Sequence, residues 1–313
     1  MKRILRPMHR LFLMWLGVLA ITTSAARAVE CYLIVDNQTG RILASKNADE
    51  KRQIASLTKI ATAMVVLDWA KLTNVDLGEL VSVPADAVAV GGTNPATLQQ
   101  DDLVSLRDLL YCALMASDNT AAHALAYHIG QRLPNAEGLD PVGNFVAHMN
   151  ALARNLYMKR TRFLTPSGLD NMEGALPFST ASDVGRLVRY AYSKSGFPFY
   201  VAQKTREIHI FRAGKPTSVW LNNTNPLLDQ EGIDGVKTGR TSKAGDCIVL
   251  SADRAPESVR EGAKVLITPR RIIVVLLDAQ DRAAEGLSFM RRGWQLYDQW
   301  AAEGRKAKKS NSL

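Results

Sequence analysis

The spacing of apolar residues in this chain changes twice along its length, and that change restricts the folds open to it more than any other feature. Cys31–Val35 and Arg41–Ser45 are apolar runs around the polar cluster Asp36-Asn37-Gln38-Thr39-Gly40, the pattern of a β-hairpin. From residue 56 to about 200 the spacing is helical. Ile60, Met64, Leu67 and Lys71 line one helix, Ser105 and Asp108 offer a capping box ahead of Leu109–Met115, and Asn119–Ile129 stops at Gly130. Gly143–Asn155 and Ser182–Ser193 read as further helices. From about Arg206 the period returns to two, through Ile208/Ile210, Val219/Leu221, Ile233–Thr238 and Cys247–Ser251 to an unbroken, β-branched run at Arg271–Leu277. The expected architecture is α/β (α+β), with one antiparallel sheet built from both chain ends and an all-helical region of about 56–200 inserted between them. A stripe of Leu287, Met290, Trp294 and Tyr297 within Asp281–Glu303 predicts a helix that packs back on that sheet.

Charge excludes one class of function. The 313 residues carry a net charge of +9, but five basic residues lie in the first 28 and four in the last nine, and no acid accompanies them. The rest holds 30 basic residues against 30 acidic ones, so a phosphate-binding groove and a nucleic-acid partner are not expected. The basic start, the apolar run Leu11–Ile21 and the closing Ala26-Arg27-Ala28 have the form of an export signal cleaved after Ala28. An uncleaved anchor is the weaker reading, because the run is short of the roughly 20 residues that span a bilayer. A lipoprotein site at Cys31 is disfavoured by Glu30, where a small residue is needed. The expected divisions are a signal at 1–28, a catalytic domain at 29–303 and a disordered basic tail at 304–313. That tail could give weak electrostatic attachment to membrane or wall and no more, since Leu313 is its single large apolar residue. Three cysteines form no disulfide framework, and without a cysteine cluster or an H-E-x-x-H run neither metal nor cofactor is expected. His123 and His128, five apart on a helix, diverge.

Three short motifs carry chemistry. Ser56-Leu57-Thr58-Lys59 opens the first long helix, where residues three apart share a face, so Lys59 reaches the Ser56 hydroxyl. A serine hydroxyl attacks only when a base takes its proton, and lysine is such a base when burial or a neighbouring cation keeps it neutral. Ser117-Asp118-Asn119 lies between helices, where Ser117 and Asn119 can point the same way, one to shuttle a proton and one to hold an amide. Lys237-Thr238-Gly239 continues a strand: a cation and a hydroxyl suit a carboxylate, and glycine lets another backbone approach. Singly, each has a plainer explanation as a helix cap or a strand end with an exposed lysine. Their order and contexts together make coincidence implausible.

With these motifs stand longer phrases: Ile54–Asp68, Leu114–Ala122, Thr161–Leu169, Asn223–Leu227 and Gly232–Cys247. On them the chain resembles the D-alanyl-D-alanine carboxypeptidases, the low-molecular-mass penicillin-binding proteins. The resemblance implies the fold of that family and acyl transfer without a metal. Ser56 would be the acyl-ester nucleophile, Lys59 its base, and Ser117 and Asn119 the rest of the relay. Lys237, Thr238 and Gly239 would receive the substrate's terminal carboxylate. Backbone N–H groups of Ser56 and Arg240 would form the oxyanion hole. Arg240 stands where many relatives have histidine, and it and Arg282 are rival second partners for the carboxylate. Peptidoglycan stem peptides would be the substrate, β-lactams covalent inhibitors, and the periplasm the site of action. Other readings are a D-alanyl endopeptidase, a class A-like β-lactamase, and a non-catalytic penicillin-sensing or wall-binding module. The β-lactamase reading needs an E-x-x-L-N segment between Asn119 and Lys237, and none is there.

Overall fold

The computed structural model describes Val29 and residues 31–170, 174–194, 196–262, 264–306 and 312–313; the expected signal at 1–28 lies outside them. The chain opens with β1 (Cys31–Asp36) and β2 (Ile42–Lys46), followed by a single 3-10 turn, Ala55–Thr58. Then come α1 (Lys59–Thr73), β3 (Leu80–Ser82), α2 (Ala85–Ala89), β4 (Leu103–Ser105), α3 (Leu106–Leu114), α4 (Asn119–Gly130), α5 (Pro141–Asn155), α6 (Ala181–Tyr192) and α7 (Phe197–Val201). The last part holds β5 (Thr205–Arg212), β6 (Lys215–Asn222), β7 (Ile233–Thr241), β8 (Gly245–Glu261), β9 (Lys264–Ala279) and α8 (Arg282–Ala302).

The main sheet has the antiparallel order β2-β1-β9-β8-β7, so both ends of the chain meet in it, with β1 directly against β9. Of the three inner strands, β1 and the inner halves of β8 and β9 are largely apolar without alternation because both faces are covered. On one face Ile34, Ile248, Leu250, Ile272, Val274 and Leu276 meet Met290, Trp294, Tyr297 and Trp300 of α8. On the other, Leu33, Val35, Cys247, Val249, Ile273 and Val275 join the core of the helical region. The expected return of the Asp281–Glu303 helix is therefore present.

Two expectations are revised. Strands β5 and β6 do not enter the main sheet; they pair with β4 and β3 in a second sheet of order β3-β4-β5-β6, so the inserted region is mostly helical and also supplies two short strands. The S-x-x-K serine is not on the long helix but on the 3-10 turn before it. Of the expected tail at 304–313, residues 307–311 lie outside the described ones; Arg305 pairs with Glu257, Ser312 forms an isolated bridge with Arg41, and the Leu313 N–H donates to Gly40 O at 3.0 Å. The Leu313 side chain packs on the core, an apolar anchor that composition alone does not reveal. All three cysteines are free and buried.

Candidate active site

The 3-10 turn Ala55–Thr58 sits where the main sheet touches the helical region, and two glycines let it settle there. A Cβ on Gly239 of β7 would come within 3.0 Å of Ile54 O and the Ser56 N. A Cβ on Gly168, whose φ is +82°, would overlap the Ala55 carbonyl oxygen at 2.0 Å. Neither position admits a side chain unless the backbone beside it moves. Ala55 itself has φ +46°, a left-handed conformation that costs a non-glycine residue about 1 kcal/mol and turns the chain sharply just before Ser56.

In a 3-10 turn residues three apart eclipse one another. That geometry carries Lys59, the first residue of α1, onto Ser56: its Nζ lies 2.9 Å from the Ser56 Oγ. The same nitrogen donates to Asn119 Oδ1 at 2.7 Å and to the Ser167 carbonyl at 3.0 Å. Lys59 is fully buried, and burial pulls its pKa down to about 7, opposed in part by the buried Asp118. These three partners are not equivalent. Two are carbonyl oxygens that can only accept, whereas the Ser56 hydroxyl can accept or donate. When Lys59 loses a proton, its two remaining N–H groups stay with the carbonyls and its lone pair falls to Ser56. The environment thus gives the neutral amine one direction in which to act as a base.

Asn119 begins α4 behind an Asp118 cap, which accepts from the Ala121 N–H at 2.9 Å and also from Ala96 N–H at 3.1 Å. Its Nδ2 donates to Gly91 O at 3.2 Å, fixing which end of the amide faces Lys59. Ser117 has φ +63°, and its carbonyl accepts from the Thr93 hydroxyl at 2.8 Å. Its side chain is half-buried, and among the described residues no hydrogen bond joins the Ser117 hydroxyl to Ser56 or Lys59.

Lys237 is the opposite case. It is buried, and its Nζ has a single described hydrogen bond, to Thr238 O at 3.0 Å. Burial drives its pKa well below the ordinary lysine value, and the nearby Lys59 and Arg282 push the same way. A buried amine with unused donors among cations is a receptor for an anion. Arg282 donates to Gly239 O at 3.1 Å and leans on Asp246 at 3.4 Å, which fastens it to β7 and the adjacent β8. Arg240 reaches Asp246 only at 3.5 Å and is 76% exposed, at the rim. Thr238 donates its hydroxyl hydrogen to Thr224 Oγ1 at 2.6 Å.

The structure therefore brings Ser56, Lys59 and Asn119 into one network, sets Lys237, Thr238 and Gly239 against it, adds Arg282, and leaves Arg240 outside. Among the described residues no cluster suitable for a metal is found. Sequence reasoning did not find the Ser167 carbonyl, Thr224, or Asp170, which accepts from the Thr241 hydroxyl. It did mark the stretches that hold Ser167 and Thr224, without giving them work.

Residues 20–264 match the family model described as D-alanyl-D-alanine carboxypeptidase, peptidase S11. The chain belongs to this family. It is 33% identical to a D-alanyl-D-alanine endopeptidase of Pseudomonas aeruginosa, over 72% of this chain and 67% of that one. It is 33% identical to the carboxypeptidase DacC of Escherichia coli over 74% of this chain, and spans 56% of that longer protein. Among solved structures, a Streptomyces DD-transpeptidase superposes with a TM-score of 0.72 at 28% identity, covering 86% of this chain and 97% of the other. The family fold expected from the motifs, an antiparallel sheet with helices, is the observed one.

Proposed function

We propose that the chain is a serine D-Ala-D-Ala carboxypeptidase that removes the terminal D-alanine from peptidoglycan stem peptides through an acyl-enzyme on Ser56. The observation that carries this is the bonding of Lys59, a buried amine with a pKa near 7 whose only reversible partner is the Ser56 hydroxyl. Lys59 takes the Ser56 proton as Oγ attacks the penultimate D-alanine carbonyl. The tetrahedral oxyanion is held by the backbone N–H groups of Ser56 and Arg240, each such donor contributing about 3–4 kcal/mol. The proton passes to the departing amine, with Ser117 beside the path and Asn119 holding both Lys59 and the peptide amide. Water then attacks the ester, with Lys59 again taking a proton. The terminal carboxylate sits on Lys237, Thr238 and Arg282, where its negative charge favours the protonated form of Lys237. Arg240, solvated at the rim, has a smaller part.

Action outside the cytoplasmic membrane after removal of residues 1–28, with 29–303 as the catalytic domain, belongs to the same proposal. Among the described residues no helix is long and apolar enough to cross a membrane. The endopeptidase reading is supported by the Pseudomonas relative, since cleavage of a D-Ala cross-link uses the same acyl step. Mass spectrometry of products from a defined pentapeptide muropeptide and a cross-linked dimer decides. Loss of D-alanine from the pentapeptide is expected; cleavage of the dimer alone gives the endopeptidase, and neither product with no penicillin adduct on the Ser56 peptide overturns the acyl-enzyme. Cefotaxime bound to a penicillin-binding protein of Listeria monocytogenes, TM-score 0.65 at 26% identity, supports β-lactams as capture reagents.

A further inference from the structure

Strands β8 and β9 outrun the sheet that contains them. Strand β7 follows β8 only to Ala252, opposite Ile233, and β1 follows β9 only to Ile272. Beyond that, from Asp253 and Arg271 outward, the two strands are paired with each other until Glu261 meets Lys264. The foot of this arm is fastened to α8, where Arg254 and Arg270 pair with Asp298 and Arg254 lies 4.1 Å over the Trp294 ring. Farther out, Val259, Val265, Leu266 and Ile267 are 56%, 55%, 49% and 66% exposed. A two-stranded ribbon by itself is of marginal stability in water.

The two edges of the arm differ. On β8 the register shifts between Arg254 and Glu257, and Pro256 there has no N–H to offer. Both devices blunt an edge. On β9, Lys264–Thr268 runs Lys-Val-Leu-Ile-Thr with no proline, glycine or acid until Pro269, while farther in the edge is occupied, Asn37 N–H donating to Arg271 O at 2.9 Å. An apolar, unguarded edge of this kind takes up another strand.

We infer that the Lys264–Thr268 edge is the seat of a second copy of this chain, the two arms pairing antiparallel about a two-fold axis through Leu266. The register follows from self-complementarity: Val265 faces Ile267 of the other copy, Lys264 faces Thr268, Leu266 faces itself, and no like charges meet. Side chains alternate along a strand, so Val265 and Ile267 of both copies gather on one face of the joined ribbon and Leu266 and Val259 of both on the other. A bilayer is the poorer occupant, because the outer end that would enter lipid first carries Arg260, Glu261 and Lys264. The arm leaves the sheet at the Ile233 end of β7, and Lys237–Gly239 lie toward Thr241, so the association leaves the cleft open.

Cross-linking tests this on the purified protein. The native thiols are buried, and burial pushes each above its ordinary pKa, so an introduced cysteine is the reactive one. Under mild oxidation Leu266→Cys should give covalent dimer as the main product, and Ser258→Cys, on the blunted strand, almost none. In sedimentation at about 100 µM, wild type should be dimeric, Leu266→Lys and Leu266→Glu separately monomeric, and their equimolar mixture dimeric again. Penicillin labelling should be the same throughout, which reports an intact fold. A monomeric wild type, equal cross-linking at 258, or wild type that is monomeric but floats with anionic vesicles each overturns the inference, the last in favour of lipid.

Discussion

Two buried lysines share one cleft and differ in what surrounds them. Lys59 has three hydrogen-bond acceptors around its nitrogen, so its position is settled before any substrate arrives. Lys237 has one described acceptor and two cations nearby. Burial lowers both pKa values, yet the consequences separate. At Lys59 a lowered pKa suits the proton transfer proposed for it. At Lys237 it comes from burial beside two other cations, surroundings that favour an anionic partner. A buried lysine is therefore no role in itself; the inventory of acceptors around it tells a base from a receptor.

Exchange of arginine for each lysine should break the symmetry most strongly. Arginine does not deprotonate, so Lys59→Arg should cut Ser56 acylation by penicillin about 10³-fold or more, and Ser56→Ala should abolish the adduct. Lys237→Arg, which keeps a cation, should retain a measurable part, and Lys237→Ala should lose about 10- to 100-fold in kcat/KM for peptides with a free terminal carboxylate. Stopped-flow acylation and product assays read both, and equal losses would mean that the two sites share one task.

A smaller effect sharpens the same division through pH. On the proposed mechanism the active form of Lys59 is the neutral amine, and burial brings its pKa down to about 7, so the acylation rate should rise as pH increases through that value and level off above it. An acylation rate flat from pH 5 to 9 would exclude a titrating Lys59. Binding of a carboxylate ligand at neutral pH should raise the pKa of Lys237 and take up as much as about one proton, seen as buffer-dependent heat in calorimetry.

The smallest expected effect is on stability. Both lysines have folded-state pKa values below those of the unfolded chain, so the unfolded state binds more protons between the two values and native stability grows with pH across that interval. Lys237→Met removes one such burden and should raise the thermal midpoint at pH 7 by a few degrees, about 1 kcal/mol or more, while impairing turnover. A drop in midpoint would show that Lys237 is better satisfied than its contacts indicate.

Much of the site was legible because its chemistry is local. Ser56 and Lys59 are three residues apart, Asp118 and Asn119 are adjacent, and the Ser105 cap accepts from the Asp108 N–H as its spacing foretold. The Ser167 carbonyl was not legible, since every residue has a carbonyl and only the fold selects one. Nor could spacing separate Arg282 from Arg240; one is bound to the Gly239 carbonyl from a helix start 43 positions away, and the other is beside the motif but turned to solvent. The second sheet escaped notice for a related reason. Its strands β3 and β4 are three residues each, too short for a period, and the alternation at Ile208/Ile210 fits any antiparallel partner.

The glycine clamp on the Ser56 turn bears on how inhibitor resistance could arise. At residues 168 and 239 even one added carbon meets backbone atoms, so a variant there would displace Ser56, the proposed nucleophile, and should impair peptide cleavage together with β-lactam capture. Selection that must preserve cleavage finds no room in the floor of the cleft. It is left with positions such as Arg240, whose side chain stands in water and can change shape or charge while Ser56 stays where it is.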